Sequence, residues 1–118
     1  MKIRPWDSSK DLKDVLRIWR EVGWLEGEKN DEKGLAAFLK GSAGFVAEHE
    51  GAAECAVFSL PGAIRHMNSE LPFSCVTAVT TSRIARGLGL AGRMTAALVK
   101  KATEEGALVS GLGMFEQG

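Results

Sequence analysis

The run Cys75-Val76-Thr77-Ala78-Val79-Thr80, followed by glycines and then by an apolar helical stripe, limits the folds open to this chain more than any other feature. Its β-branched residues favour a strand. Beyond the polar stretch Thr81 to Arg86, the residues Leu90, Met94, Ala97, Leu98 and Ala102 recur at helical spacing and predict a helix over 88–105, closed by Gly106. Ala107 to Leu112 then returns as a strand. A β-α-β unit of this kind is right-handed and lays its helix on a sheet face, so the strands near 73–81 and 107–112 are expected to run parallel or nearly so.

The first half reads differently. Lys2 to Trp6 alternates as a short strand, and Ser8-Ser9-Lys10-Asp11 offers a serine cap with an acid three residues later, which predicts a helix over 9–23. Leu12, Val15, Leu16, Trp19 and Val22 form its buried face, and Gly23 ends it. A second helix is expected over 31–40, with Gly41 reversing the chain. Strands near 45–49 and 52–60 form a hairpin about Glu50-Gly51. Pro61-Gly62 is expected to break the second of these, Ile64 to Met67 to resume it, and Asn68-Ser69 to turn. The fold class is therefore α/β (α+β), a mixed central sheet flanked by helices. At 118 residues and 45% apolar content, residues 1–118 fit one domain with one core.

Fifteen Lys and Arg balance fifteen Asp and Glu, so no global field draws in nucleic acid or an anionic membrane, and any anion site must be local. Cys55 and Cys75 lie in apolar stretches and read as reduced core residues. The polar N-terminus lacks a signal-peptide core and no apolar run approaches a membrane span, so the cytoplasm is the expected compartment. The chain contains no tyrosine.

Chemistry concentrates between Val79 and Gly92, where a strand, a basic turn and a glycine-rich helix start follow one another. A helix start presents N–H groups without internal partners and a partial positive charge, so a phosphate is favoured there. Gly87 and Gly89 clear side chains from the approach, and Arg86 adds a planar donor fork. The plain alternative is a flexible loop with solvated arginines. Gly87-Leu88-Gly89-Leu90-Ala91-Gly92 also satisfies the dinucleotide fingerprint G-x-G-x-x-G, but there the first glycine follows the strand almost at once, and here a basic stretch intervenes. A P-loop is excluded by the missing Gly-Lys-Ser/Thr.

Arg86-Gly87-Leu88-Gly89-Leu90-Ala91, after a β-branched strand, resembles the acetyl-CoA signature (Gln/Arg)-x-x-Gly-x-(Gly/Ala) of the Gcn5-related N-acetyltransferase (GNAT) superfamily. The order of elements is similar too. More narrowly, Leu71 to Val79 and the ending Leu112 to Gly118 look like acyltransferases similar to the enhanced intracellular survival protein of mycobacteria. The resemblance implies an N-acetyltransferase that moves an acetyl group from acetyl-CoA to a primary amine such as an aminoglycoside, a polyamine or a lysine. It implies that the main chain of Val79, Thr80 and Thr81 meets the pantetheine arm, and that Arg86, Gly87, Leu88, Gly89, Leu90 and Ala91 cradle the pyrophosphate. Arg83 stands where relatives often have proline. Such folds normally continue through another helix and two strands, so the resemblance also implies an N-terminal part of a longer fold, with an exposed sheet edge that favours a homo-oligomer. The acid tyrosine of relatives has no counterpart, which keeps open a CoA-binding module without catalysis.

No other grouping is as specific. Glu48, His49, Glu54 and His66 on the central strands are candidate bases, but alternation places them toward solvent. Trp6, Trp19 and Trp24 read as core before they read as an acceptor pocket. No Cys, His or carboxylate cluster has the spacing of a metal site, and no catalytic residue is assigned.

Overall fold

The structure, a computed structural model, describes residues 1–113. In chain order it comprises β1 (Lys2–Pro5), α1 (Ser8–Glu21), α2 (Asp31–Leu39), β2 (Ala43–His49), β3 (Ala52–His66), β4 (Ser69–Thr81), a 3-10 turn (Arg83–Ala85), α3 (Leu90–Glu104) and β5 (Val109–Gly111). The strands form one five-stranded sheet in the order β1-β2-β3-β4-β5. Neighbours from β1 to β4 are antiparallel and β5 runs parallel to β4, as the β-α-β reading required. Of the segment Leu112 to Gly118, residues 114–118 lie outside the described residues.

Helices cover both faces. One core joins Val15, Leu16 and Trp19 of α1 and Leu35 and Leu39 of α2 to Val46, Ala53, Ala56 and Phe58, with the Trp6 ring set edge-on against Phe58 at 5.0 Å. The other joins Leu90, Met94 and Leu98 of α3 to Ala47, Cys55, Val57 and Val76. Trp19 is therefore core, whereas Trp24 is 41% exposed and rests against Trp19. Both cysteines are free thiols.

Several local expectations are corrected. Asp7, not Ser8, caps α1: its side chain accepts from Ser9 N–H, while Asp11 accepts from Asp7 N–H at 2.9 Å, so the reciprocal pair begins one residue earlier. Pro61-Gly62 does not break β3. Past Ser59 the strand has left β2 and pairs only with β4, so at Pro61 β3 is an edge strand, the place in a sheet where proline is tolerated. β4 accordingly begins at Ser69, and the turn falls on Met67 and Asn68, with Met67 at φ 53°. α3 starts at Leu90 instead of 88, because Gly89 is left-handed at φ 70°. β5 is only three residues long, since Ala107 N–H turns back to Ala102 while Leu108 N–H bonds to Pro72. Glu54 is buried, against the outward placement that alternation gave it.

Candidate functional site

Two β-bulges decide which groups meet at the end of the sheet. In β4, Thr80 faces Ala56 and Thr77 faces Phe58, leaving one residue more on β4 than on β3 between these pairs. The extra residue is taken up at Ala78, a non-glycine at φ 53°. The bulge turns the main chain of Val79 to Thr81. On the side away from β3, the parallel partner β5 matches only Phe73, Ser74 and Cys75, so among the described residues no strand pairs with the outer edge of Val76 to Thr81. This is an open strand edge, able to give and accept main-chain hydrogen bonds.

That edge leads into the turn. Ser82 N–H is anchored to the Glu54 carbonyl at 2.8 Å and Ala85 N–H to the Ser82 carbonyl at 3.1 Å, which closes the 3-10 turn. Arg83 N–H donates to the Glu21 carboxylate of α1 at 2.9 Å. Arg83 thus fixes the turn through its backbone. Arg86, Gly87, Leu88 and Gly89 are exposed, while Leu90 is buried as the first anchor of α3. Gly87 and Gly89 both have positive φ, at 80° and 70°. A Cβ added at Gly87, Gly89 or Gly92 meets no protein atom within 4 Å, so protein packing does not explain the absence of side chains there. Gly89 offers no side-chain cap to α3, whose first-turn amides stay open. Arg86 and Arg93 make no ion pair among the described residues. Open amides, cleared approach and uncommitted guanidinium groups fit a phosphate, and the open strand edge beside them fits an extended amide-bearing chain. All nine residues expected at the site, Val79 to Thr81 and Arg86 to Ala91, lie along this one stretch from bulge to helix start.

The candidate bases separate. His49 and His66 are exposed at the ends of β2 and β3. Glu48 is held by Arg4 and Lys10, and these cations keep its carboxyl below the usual carboxylate range, Arg4 contributing most. Glu54 is turned inward by the second bulge: Ala47 pairs with Cys55 and Glu48 with Ala53, so Glu54 is the surplus residue and meets Arg17 of α1 at 3.1 Å. Cys55 contacts the Thr81 hydroxyl at 3.3 Å, and burial pushes its thiol above the ordinary range, which makes it a poor nucleophile. No group of three or more His, Cys, Asp or Glu among the described residues is gathered to hold a metal ion. No helix among them is long and apolar enough to cross a membrane. Concavities of about 600 Å³ beside Arg4 to Lys10 and about 420 Å³ between α1 and α2 are lined by no residue of the glycine turn, and Arg4 and Lys10 of the first are already paired with Asp11 and Glu48.

The sequence matches no family model, and no curated protein is similar to it. Solved structures are similar in fold. An acetyltransferase of Trypanosoma brucei superposes with a TM-score of 0.77 at 16% identity, over 98% of this chain and 83% of its own. A predicted acetyltransferase from Clostridium acetobutylicum, solved with acetyl-CoA, gives 0.76 at 17% over 96% and 80%. An aminoglycoside acetyltransferase from an uncultured soil metagenomic sample, in complex with sisomicin, gives 0.74 at 18% over 98% and 78%. With β1 to β4 antiparallel and β5 alone parallel to its neighbour, the sheet is not the parallel one of a dinucleotide-binding fold. With its mixed sheet, bulged fourth strand and glycine-rich start to α3, the chain has the fold of the GNAT acetyltransferases.

Proposed function

We propose that the chain is the acetyl-CoA-binding domain of a cytoplasmic N-acetyltransferase that acts on a primary amine. One observation carries the reading: among the described residues no strand pairs with the outer edge of Val76 to Thr81, and that edge runs directly into an exposed turn where Gly87 and Gly89 hold positive φ and no protein atom fills the space beside them. The edge would hold the amide-bearing arm of the cofactor through the main chain of Val79 to Thr81. Arg86 and the amides from Gly87 to Ala91 would hold its pyrophosphate. Acetyl-CoA would supply the thioester. A neutral amine attacks the thioester carbonyl, the C–S bond breaks, an amide forms, and the amine proton leaves with the CoA thiol. The protein's share is to align the two reactants and to offer backbone donors to the carbonyl oxygen. The acceptor proposed is an amine of the aminoglycoside, polyamine or lysine type, and the first of these is supported by the aminoglycoside acetyltransferase of the same fold.

A second reading, cofactor binding without turnover, is favoured by one feature: the sequence has no tyrosine to act as the acid. Thermal-shift measurements and acetyl-transfer assays separate the two. CoA or acetyl-CoA should raise the melting temperature, whereas NAD and ATP leave it unchanged, because a ligand selective for the native state stabilises it by mass action. Stabilisation by NAD alone would end both readings, and CoA stabilisation without turnover on a panel of amines would select the second.

A further inference from the structure

Where α1 crosses the sheet, Glu54 Oε2, Thr80 Oγ1 and Ser82 Oγ are buried without a hydrogen-bond partner among the described residues. Their residues are 6%, 5% and 1% exposed. The residues that carry them adjoin along β3 and β4. Ser82 N–H donates to the Glu54 carbonyl at 2.8 Å, and Thr80 stands opposite Ala56, two residues along β3 from Glu54. The other Glu54 oxygen is taken by Arg17, whose guanidinium also donates to the Ala53 carbonyl at 3.1 Å. Ser82 opens the 3-10 turn, yet its hydroxyl does not cap it.

A buried carboxylate oxygen left dry is costly, and a dry hydroxyl beside it adds to the cost. A bridging water needs two to four polar partners, and this cluster supplies one strong acceptor and two hydroxyls that can donate. Arg17 already balances the Glu54 charge, so a neutral water fits where a cation does not. One helical turn beyond Arg17, Glu21 accepts the Arg83 N–H. The C-terminal half of α1 therefore meets the turn at two points.

We infer that Glu54, Thr80 and Ser82 hold a buried water, and that this water and the Glu21–Arg83 bond make α1 the support that sets the turn between Ser82 and Gly89. Glu54, Ser82 and Glu21 are positioning residues, and their effect on a ligand rests on the cofactor site proposed above. Thr80 shows how the support acts: its hydroxyl is in the buried cluster while its main chain lies on the open edge of β4.

The test has two independent readouts, amide hydrogen exchange at Arg83 and CoA affinity by calorimetry. Ser82→Ala gives a test of sign. If its hydroxyl is dry, removing it leaves the protein as stable or more so; if a water bridges it, the variant melts lower and exchange at Arg83 accelerates. About a tenfold acceleration is expected, with CoA affinity weakened about tenfold. Glu21→Ala should behave alike, and Glu21→Gln should restore both because its amide oxygen still accepts. Unchanged or slower exchange in Ser82→Ala, with CoA bound as tightly as by the parent, overturns the inference and leaves the cofactor reading standing. Accelerated exchange in a protein whose parent binds no CoA overturns the cofactor reading and upholds the support. Accelerated exchange with unaltered affinity overturns the positioning role.

Discussion

The Arg4 guanidinium grips the fully buried carboxylate of Asp11 with two parallel hydrogen bonds, at 2.6 and 2.8 Å, and so joins the first strand to the first helix. Arg4 also holds Glu48 on β2, and Asp11 accepts the Asp7 N–H, so the pair ties together β1, β2 and the α1 start. Asp11→Ala leaves the largely buried Arg4 without its main partner and removes the acceptor of the Asp7 N–H beside the α1 cap. It should destabilise the protein by about 3–5 kcal/mol in urea unfolding, the range for breaking a buried ion pair. A loss no larger than that of an exposed pair, below about 1 kcal/mol, would show that water replaces the bond freely.

Acid should weaken the same corner. Arg4 first, and Lys10 second, hold the Glu48 carboxyl below its ordinary value of 4.5, and hydrogen bonds from Ser9 hold that of Asp7 below 3.8. A carboxyl depressed on folding contributes its stability in full above the ordinary value, and loses it as pH falls through the lower folded-state value. Melting temperature should therefore decline from about pH 4.5 downward. Glu48→Gln should melt below the parent at pH 7 and converge with it in acid. A constant gap between the two melting curves from pH 7 to 3 contradicts the assignment.

The places where the sequence misled are informative about its physics. Helix faces and the β4-α3-β5 unit were legible because their periods persist over many residues, and the order of strand, basic turn and glycines is the signal on which the nine proposed site residues rest. Glu54 was not. Alternation predicts an outward carboxylate, but a bulge adds one residue to β3 and turns Glu54 toward Arg17. Ala78 carries no signal either, since glycine or asparagine is the usual mark of a left-handed residue. Pro61 read as a strand breaker only because the sequence does not say where β2 ends.

The two thiols should differ sharply in reactivity. Cys55 is fully buried against Thr81, and desolvation raises its thiol above the ordinary 9.0, whereas Cys75 is partly exposed. With a disulfide reagent at pH 8, Cys75 should react first and Cys55 only as fast as the protein opens. Adding urea below the unfolding midpoint should speed Cys55 alone. Equal rates for both thiols in the native protein would place Cys55 at the surface.

Gly92 offers a cleaner probe of the cofactor site than Gly89. Substitution at Gly89 strains a left-handed residue whatever is bound, so Gly89→Val confounds backbone cost with ligand clash. Gly92 lies in the first turn of α3 without a positive φ, and an added methyl meets no protein atom. Gly92→Ala should therefore leave the free protein as stable as the parent or raise stability by up to about 1 kcal/mol, since alanine is the better helix former. If a phosphate group approaches the first-turn amides, the same methyl intrudes on it and CoA affinity falls. Arg86→Ala should weaken CoA binding by about 1–3 kcal/mol through a lost charge-assisted contact, and that loss should shrink at high salt. Gly92→Ala should lose affinity equally at low and high salt, because its effect is steric. Calorimetry at two salt concentrations reads both. A stabilised Gly92→Ala that binds CoA as tightly as the parent, together with an Arg86→Ala loss indifferent to salt, would move the phosphate away from the start of α3.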